Sequence, residues 1–411
     1  MSAGKSLAFD AKHRHARADL SASTLAPLVR ATSDTTSLRV TCHGDIEALR
    51  EIWQDFQGRA LGTLYETWEW CRAWQECIGA PSGVVPRIVI GRDSQGGIAF
   101  LLPLSVRRRM GMNILTWMTA PTLNYGLGLY DPAFLDRHDN DLSHLWPEIL
   151  NAAGPVDAVH LAAMPAYWDG REHPLHGLFS AQDANCAYVT NLTTDFDGLY
   201  AAKRSSASRR SAKKRDARLE REGCVTFGLP ETLAETRQII DALFEQRAGR
   251  MGEMGISRGV DAREQQFVYR FAECSKGGPV RLAPFTLKLD STPLGIALGG
   301  IHGGIYYALI LSMTEGPMRK HSPGDAVLRR SIEACSKAGL RTFDFGAGHS
   351  DYKDAWADEA IPLHAIVAPR SLRGLAYALR AKLAISLKRQ IKTSPRLWSL
   401  VRQLRRCLAQ S

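Results

Sequence analysis

The chain has 411 residues, 45% of them hydrophobic and 23% charged, and a formal net charge of +10. This is the composition of an ordinary soluble globular protein, and the length allows two domains. Eight cysteines without a CxxC pair or a Cys/His cluster at ligand spacing argue against a metal site and favour free thiols in a reducing compartment.

The first half of the chain begins after a leader. Residues 1–36 lack the apolar core that a secretory signal needs, so we predict a disordered leader and a cytoplasmic protein. The elements predicted next are a strand from Ser37, helices at 45–57 and 64–78, a hairpin at 86–106, a strand at 113–119, a helix near 142–152 and a strand at 157–164.

The same order of elements recurs after residue 190. The elements predicted there are a basic helix at 203–221, a strand at 224–229, helices at 231–249 and 262–276, strands at 284–290, 293–300 and 305–313, a helix at 325–338 and a strand at 340–346. The uncharged stretch 291–314 is broken by glycines, so it indicates a hairpin rather than a membrane-spanning helix. We predict an α/β fold of two duplicated modules, 37–190 and 191–370, rather than one large sheet.

The loop "RKHSPG" lies between the predicted strand at 305–313 and the helix that follows it. The start of a helix leaves backbone N–H groups unpaired and carries partial positive charge, which favours phosphate binding. The corresponding loop of the first half, "APTLNYGLGLYDP", has no basic residue. If only one half binds a phosphorylated cofactor, we predict that it is the second, with Asp325 as a helix cap; the alternative is an ordinary helix start with a solvated basic loop. The predicted cofactor-binding residues are Arg319, Lys320, His321, Ser322, Gly324 and Asp325.

Four stretches of the sequence together carry a resemblance to a known family. They are "RRSAKKRDARLEREG", "HGGIYYALI", "HSPGDAVLRRSIEAC" and "FDFGAGHSDYKDAW". In order and spacing they resemble the CelD/BcsL-type acetyltransferases associated with cellulose and exopolysaccharide synthesis, which are part of the GNAT superfamily. The likeness covers roughly residues 38–368. It implies tandem GNAT-like modules, similar to those of the Fem-type transferases, and an acyl-CoA donor such as acetyl-CoA.

The resemblance implies acyl transfer to an amino sugar, or a hydroxyl, of a polysaccharide or lipid-linked saccharide precursor. Two alternatives stay open. The family's phosphate loop usually runs Arg/Gln-x-x-Gly-x-Gly/Ala, whereas this chain has Ser322 at the first glycine position and Pro323 removes an N–H donor. That departure leaves room for a Fem-like transferase that uses aminoacyl-tRNA; otherwise nucleic acid is not an expected partner. The other alternative is a non-catalytic GNAT scaffold in exopolysaccharide synthesis.

The segment "RTFDFGAGHSDYK" places ionisable side chains just beyond a predicted strand. Acyl transfer to an amine needs a base for the amine, donors for the oxyanion and an acid for the leaving thiolate. Asp344 alternates with two phenylalanines, so we predict that it points away from the core, next to an open cleft, as the base or as a carboxylate that binds the acceptor; the alternative is a structural aspartate bonded to the backbone or to an arginine. Tyr352 is the predicted acid. His349 and Asp351 are further catalytic candidates.

Substrate-binding candidates lie in both halves. A sugar ring can stack on an aromatic side chain that faces a cleft, and the candidates for this role are the tryptophans at 68, 70 and 74. The loop "LNYG" could also line an acceptor site. The basic helix at 203–221 is either a solvated arm or a contact for an anionic partner. The predicted substrate-binding residues are Lys353, Trp68, Trp70, Tyr125, Arg209 and Arg210.

The C-terminal segment 371–411 is predicted to form a basic amphipathic helical tail. From Ile361 to Ser411 there are 11 Lys or Arg residues and no acidic residue, which accounts for the whole excess of positive charge. Leucines recur at spacings of three and four from Leu372 to Leu387, and again from Leu397 to Leu408. This pattern is typical of helices that lie on anionic membranes. The alternative is that the leucines pack on the protein itself.

Overall fold

The computed structural model describes residues 38–253 and 261–394, which belong to one compact unit beginning at Ser37. The predicted leader at 1–36 and the second leucine repeat at 397–408 lie outside the described residues. The described part is a mixed α/β structure built around one large sheet.

The strands of the described chain are β1 (Arg39–His43), β2 (Val85–Arg92), β3 (Ile98–Arg109), β4 (Met112–Trp117), β5 (Leu129–Tyr130), β6 (Ala158–Pro165), β7 (Tyr167–Trp168), β8 (Arg171–Glu172), β9 (Ala181–Asn191), β10 (Val225–Gly228), β11 (Arg281–Leu289), β12 (Thr292–His302), β13 (Ile305–Met313), β14 (Thr342–Ala347) and β15 (Glu359–Pro369).

The α-helices are α1 (Arg50–Gln57), α2 (Trp68–Trp74), α3 (Pro132–Arg137), α4 (Trp146–Ala153), α5 (Phe196–Lys203), α6 (Ser206–Leu219), α7 (Leu233–Glu253), α8 (Ala262–Cys274), α9 (Pro323–Lys337), α10 (Asp351–Asp354) and α11 (Leu372–Thr393). Short 3-10 turns lie at Glu47–Leu49, Leu64–Glu66, Ala80–Ser82, Ser143–Leu145, His176–Leu178 and Gly316–His321, and a π-turn at Gln75–Gly79.

The main sheet has the order β1-β2-β3-β4-β6-β15-β9-β14-β13-β12-β11-β10, with β5 paired to β3. From each edge of the sheet inward, the strands follow the same arrangement of antiparallel and parallel pairs. Each half has consecutive antiparallel strands, then one parallel pair, β4 with β6 and β13 with β14, and then one antiparallel strand. The predicted duplication is therefore present, but within a single sheet rather than as an alternative to it. The boundary near residue 190 stays a prediction.

The two halves exchange a strand at the centre of the sheet. β9 follows β6 in the sequence but pairs with β14 of the second half, and β15 follows β14 but pairs with β6 of the first half. β9 and β15 also pair with each other, from Glu359–Val189 to Ala365–Ala181. Neither strand was among the predicted elements.

Local sequence explains the turn of the predicted hairpin at 86–106 and the matching turn between β11 and β12. In the turn between β2 and β3, the Asp93 carboxylate accepts hydrogen bonds from the N–H groups of Gln95 (3.0 Å) and Gly97 (2.8 Å). Asp290 occupies the matching turn between β11 and β12, with a φ of 56°, and accepts a hydrogen bond from the Cys224 N–H (3.0 Å). Short polar residues favour such turns because their side chains bond the neighbouring backbone.

The uncharged stretch at 291–314 forms β12 and β13 with a turn at Gly303–Gly304, which confirms the predicted hairpin. No helix within the described ranges 38–253 and 261–394 is both long and apolar enough to cross a membrane. The predicted helix at the start of the tail is confirmed as α11, which packs on the central strands β9, β15 and β6.

Candidate active site

The parallel strands β13 and β14 separate soon after they begin. They pair only from Ile305–Thr342 to Tyr307–Asp344, although β13 continues to Met313 and β14 to Ala347. Beyond that point the backbone on this side of β13 has no strand partner within the described chain. We call the gap between the two separated strands the fork. It exposes a row of N–H and C=O groups to any extended ligand that enters it.

A β-bulge lies on β13 at the mouth of the fork. Gly299 of β12 pairs with Ala308 and Leu298 pairs with Ile310, so Leu309 is the extra residue. Bulges redirect backbone and side-chain groups and are common beside active sites. A cavity of about 100 Å³ occupies the fork, and its walls include Leu309, Phe345, Tyr352 and Lys353.

The turn before α9 forms the predicted phosphate loop. A 3-10 turn at Gly316–His321 leads to Ser322, which has a left-handed backbone (φ 53°, ψ 56°), and α9 begins at Pro323. Because Pro323 has no N–H and Ala326 bonds back to Ser322 (3.1 Å), the N–H groups of Gly324 and Asp325 are left without a partner inside the helix. The predicted helix start is confirmed within two residues.

Asp325 does not cap α9, which corrects the prediction. Ser322 occupies the cap position and makes no side-chain cap hydrogen bond. The Asp325 carboxylate instead pairs with Arg215 (3.1 Å) and lies 3.7 Å from Arg204. An aspartate in the first turn still stabilises the helix, because it interacts favourably with the helix dipole. Its carboxylate also neutralises part of the positive charge of the two arginines beside the turn.

Two other basic residues of the turn share one acidic partner. Lys320 Nζ lies 2.9 Å from Glu222 Oε1, and His321 Nε2 lies 3.3 Å from the same oxygen. His321 is buried, whereas Lys320 is exposed. Glu222 thus neutralises part of the positive charge at this helix start, and a phosphate that binds there competes with it.

The basic helix α6 is not a free arm. Ala212 and Leu219 on α6 are buried, Arg215 pairs with Asp325, and Asp216 accepts a hydrogen bond from Arg329 of α9 (2.5 Å). The helix therefore packs beside α9 through one face. Of the two predicted substrate-binding arginines, Arg209 is half-buried and Arg210 is exposed.

Asp344 is the last β14 residue paired with β13, and it is buried at 1% exposure. As predicted, it points away from Phe343 and Phe345, which pack with α9 in a separate cluster. The expected open cleft beside it is wrong, because Asp344 faces a buried cluster of tyrosines. Asp344 Oδ1 accepts a hydrogen bond from the Gly346 N–H (2.5 Å), and Oδ2 has no hydrogen-bond partner within the described chain.

The tyrosines around Asp344 come from both halves of the chain. Tyr65 and Tyr125 belong to the first half and Tyr307 to the second. The Tyr65 ring centroid lies 6.0 Å from that of Tyr125 and 5.9 Å from that of Tyr307. All three hydroxyls have a pKa raised well above the ordinary value, first by burial and then by the Asp344 carboxylate. Burial also raises the pKa of Asp344 to about 7, although the Gly346 N–H and Lys353 oppose the shift. This carboxyl therefore changes its protonation state near neutral pH.

Asn124 joins the two halves at this point. Its side-chain amide donates to Tyr65 Oη (2.7 Å), and its carbonyl accepts a hydrogen bond from the Ala347 N–H (3.3 Å). The neighbouring Gly346 has a φ of 71°, and a Cβ there would lie 2.6 Å from Asn124 Nδ2. Only glycine fits both the left-handed backbone and this close approach.

Tyr352 and Lys353 both line the fork cavity. Tyr352 is about one-third exposed, and its ring centroid lies 6.4 Å from that of Phe345. Lys353 is buried, with Nζ donating to the carbonyls of Gly346 (3.1 Å) and Ala347 (3.0 Å). Burial lowers the pKa of Lys353 to about 8. Lys353 therefore holds the end of β14 rather than lying in solvent.

His349 and Asp351 lie outside the cavity. His349 is exposed, and its Nδ1 lies 3.2 Å from Asp354 Oδ2 and 3.5 Å from Tyr188 Oη. Asp351 is exposed at the first residue of α10. The structure does not bring either side chain to Asp344, so their predicted catalytic roles gain no geometric support.

The three tryptophans of α2 have different surroundings. Trp68 is buried, and its indole N–H donates to the Ile46 carbonyl (3.0 Å). The Trp74 indole N–H donates to Thr122 Oγ1 (2.9 Å). Trp70 instead lines a second cavity of about 300 Å³, and its indole N–H has no partner within the described chain. Of the three, Trp70 alone lines a cavity within the described chain, although its side chain is only 2% exposed.

The second cavity lies between the two halves, and its wall is mainly apolar. It adjoins the fork cavity, since both are lined by Asn124, Leu309 and Ile310. The walls of the second cavity also include Phe244, Phe267, Phe271 and the Arg247–Glu264 pair (3.3 Å). A ligand seated there lies next to one in the fork.

Sequence reasoning missed Tyr65 and Tyr307 and named Asn124 only as part of a loop. One signal was present: of the adjacent Tyr306 and Tyr307 on β13, one must face each side of the sheet, because strand side chains alternate. Tyr306 bonds the Ala283 and Ala297 carbonyls inside the second-half core, and Tyr307 faces Asp344.

The described residues contain no group of three or more His, Cys, Asp or Glu that could hold a metal ion. The fork and the turn do suit an acyl-CoA. The free edge of β13 matches an extended chain of amides, and the start of α9 offers two N–H groups beside basic side chains. At the same turn, Gly295 lets the β12 backbone come close to Pro323, since a Cβ there would lie 2.8 Å from the Pro323 carbonyl oxygen.

Comparison with known proteins identifies the domain that carries this site. Residues 206–354 match the model of an acetyltransferase (GNAT) domain. The match covers α6 to α10, and so includes the fork, the turn and Asp344. No curated protein matches the chain.

Solved structures show the fold. The chain is similar to FemX (12% identity, TM-score 0.56, 83% of this chain and 99% of that chain). It is also similar to the C-terminal domain of a putative lysylphosphatidylglycerol synthetase from Agrobacterium fabrum (13% identity, TM-score 0.50, 84% and 99%). A looser match, at 12% identity and TM-score 0.41, is a tandem GNAT protein from the clavulanic acid biosynthesis pathway, over 81% of this chain and 99% of that chain. The chain is thus a mixed α/β protein whose second half contains the match to a GNAT domain.

Proposed function

We propose that the protein is an acyl-CoA-dependent acyltransferase that acylates an amino sugar, or a hydroxyl, of a polysaccharide or lipid-linked saccharide precursor. One observation carries the proposal. The open fork of β13 and β14 lies beside a helix start that offers unpaired N–H groups and basic side chains, within a GNAT domain.

The donor lies along the fork in this proposal. Its diphosphate binds the N–H groups of Gly324 and Asp325, with Arg319 and Lys320 beside them. Its amide arm bonds the free edge of β13, and its acyl carbonyl points to the bulge at Leu309. A backbone N–H at the bulge then stabilises the oxyanion that forms during transfer.

The transfer step forms a C–N bond and breaks the C–S bond of the thioester. The attacking amine loses one proton, and the departing thiolate gains one. Tyr352, in the cavity wall, donates to the thiolate. Asp344 does not reach the cavity itself, so we assign it a positioning role. In this proposal its carboxylate is the final acceptor of the amine's proton, which reaches it through the buried hydroxyls beside it; each hydroxyl donates its own proton as it accepts one.

The acceptor occupies the second cavity, between the two halves. Its contact with the fork at Asn124 and Leu309 puts the acceptor next to the acyl carbon. The Trp70 side chain forms part of the apolar wall of this cavity, which suits the apolar face of a sugar ring. The saccharide class itself is supported by the resemblance to exopolysaccharide-associated acetyltransferases and by no contact in the structure.

Titration calorimetry tests the donor assignment. We expect heat with acetyl-CoA or a longer acyl-CoA, and thiol release once an amino-sugar acceptor is added. A donor screen that compares wild type with Asp344→Ala and Arg319→Ala separates chemistry from binding, since the first variant should keep donor affinity and the second should lose it. The absence of heat with every acyl-CoA would remove the proposal.

A second candidate is a Fem-like transferase that takes its acyl group from aminoacyl-tRNA. The exposed cations Arg210, Lys213 and Lys214 on α6 favour it, because they face solvent beside the donor turn. A gel-shift assay with bulk tRNA decides between the two. Binding that is lost when these residues are reversed to Glu, together with no heat from acyl-CoA, supports this candidate over the first.

A further inference from the structure

Helix α11 is attached to the sheet through one face of small residues. Gly374 and Ala378 are buried against the central strands, and Ala381 and Ile385 are partly buried beside them. At Gly374 the helix comes so close to the Asp157 carbonyl that a Cβ would overlap it. The Ser371 hydroxyl caps the helix by accepting from the Gly374 N–H (3.1 Å). The helix is thus fixed in orientation.

The opposite face of α11 is an exposed leucine stripe. Leu372, Leu375, Leu379, Leu383 and Leu387 are 45–91% exposed. They are five of the ten large hydrophobic side chains that are exposed in the described chain. The alternative that these leucines pack on the protein is therefore wrong for the described residues. Single exposed leucines are ordinary, whereas a stripe on one fixed helix indicates a contact surface.

Positive charge flanks the stripe. α11 contains six Lys or Arg residues and no acidic residue. Among them, Arg373, Arg380, Lys388 and Arg389 are exposed. The turn between β3 and β4 extends the same surface, because Met110 there is 83% exposed and follows Arg108 and Arg109. Arg109 and Met110 share a groove of about 520 Å³ with Tyr377, Arg380 and Ile385 of α11.

We infer that this face docks on an anionic phospholipid bilayer, with α11 lying in the plane of the headgroups and its leucines among the acyl chains. A helix with an apolar stripe and a cationic flank has the composition that such surfaces attract. Charge argues against a second copy of the chain as the occupant, because two such faces repel each other. The docking does not depend on the transferase proposal.

The sequence beyond the described residues continues the same composition. After Pro395 it contains Arg396, Arg402, Arg405 and Arg406 and no acidic residue, with leucines from Leu397 to Leu408 at spacings of three and four. A segment that shares both the apolar repeat and the positive charge suits the bilayer as well as α11 does. It lacks the acidic side chains that would complement α11 if it covered the leucine stripe.

Vesicle sedimentation of the full-length protein tests the inference. We expect binding to vesicles of phosphatidylcholine with about one-third phosphatidylglycerol, weak binding to phosphatidylcholine alone, and release at high salt. The double variant Leu379→Glu/Leu383→Glu should bind at least about tenfold more weakly, because it places two charges in the apolar stripe. Glutamate is a good helix former, so α11 should persist.

Leu229→Glu is the matched control. Leu229 is 44% exposed, close to the 45% of Leu375, but it lies between β10 and α7, and its variant should bind as wild type does. Equal binding to both vesicle types, or none to either, overturns the inference. So does a concentration-dependent dimer that the double variant dissociates. A clear drop in the melting temperature of the double variant without vesicles would mean that the protein itself covers the leucines.

Discussion

The two forks of the sheet have the same topology and different contents. In the first half, β4 and β6 pair at Ile114–Ala158 and Leu115–Val159 and then separate. The chain fills that gap itself, because the Gly126 N–H donates to the Ala163 carbonyl (2.9 Å) and Gly126 packs directly against Trp117, the last residue of β4. In the second half, the gap between β13 and β14 holds a cavity.

The two halves therefore contribute different parts of the candidate site. The loop that closes the first fork also carries Asn124 and Tyr125, which reach the second fork and help to enclose Asp344. The last pair before the fork is Leu115–Val159 in the first half and Tyr307–Asp344 in the second. The first half therefore contributes side chains that enclose the candidate site, and the second half contributes Asp344 and the open fork.

The largest effect should come from Asp344→Asn. Asparagine can keep the bond from the Gly346 N–H but cannot hold a charge, so we expect kcat/KM to fall about a hundredfold or more. In wild type, kcat/KM should rise with pH up to about 7, because the carboxyl must lose its proton to act. The variant should lack that rise. Rate measurements from pH 5 to 9 check both, and an unchanged inflection in the variant would contradict the role.

A glycine-to-alanine substitution should affect the first fork and the turn beside the second fork differently. Gly126→Ala places a methyl group against the Trp117 indole, which is fully buried, and should cost about 1–3 kcal/mol of unfolding free energy. In Gly324→Ala, the nearest atom to the new Cβ is the flexible Met313 sulfur at 3.1 Å, so stability should change by less than about 1 kcal/mol. Denaturant unfolding of both variants measures the difference. Equal losses would mean that the first fork is not filled as described.

Lys320→Glu should weaken the binding of acyl-CoA about tenfold, because it reverses an exposed charge beside the proposed diphosphate site. Arg137→Glu is the control, since Arg137 is an exposed cation on α3 of the first half. Calorimetry at two salt concentrations should show a loss for Lys320→Glu that shrinks as salt rises. Equal losses in both variants would reflect net charge rather than a site.

The smallest expected effect is a gain. Glu222→Gln removes the carboxylate that pairs with Lys320 and His321, and it should tighten acyl-CoA binding about threefold. Glu148→Gln, in the first turn of α4, should leave the affinity unchanged. A role of Glu222 in structure alone predicts no gain in affinity, so a constant or weaker affinity would count against a diphosphate at this turn.

Local patterns were enough to predict the hairpins, the start of α9 and the strand with Asp344. The hairpins and the strand follow from alternation and turn residues, and the helix start, predicted to within two residues, follows from the loop that precedes the apolar periodicity; all of these signals are local. The exchange of β9 and β15 was not predictable in this way. β15 meets β6 about 200 residues away in the sequence, and its pairing depends on which sheet edges remain open after both halves have folded.

The candidate site was predictable only where one strand carries it. The alternation of Phe343, Asp344 and Phe345 indicated which way the carboxyl points, and the structure confirms that direction. Its burial was not visible, because the side chains that cover it come from Tyr65, Asn124 and Tyr125 in the other half. Those contacts depend on the packing of the halves rather than on any spacing in the sequence.

The strand exchange at the centre of the sheet also limits how the protein can move. β9 and β15 tie the halves together by main-chain hydrogen bonds on both sides, so a hinge between the halves would have to break a continuous ladder. Substrates must then enter and leave through rearrangement of loops and side chains at the rim. A chain cut near residue 190 would also leave each half with an unsatisfied sheet edge prone to aggregation, so the two halves are expected to fold as one cooperative unit.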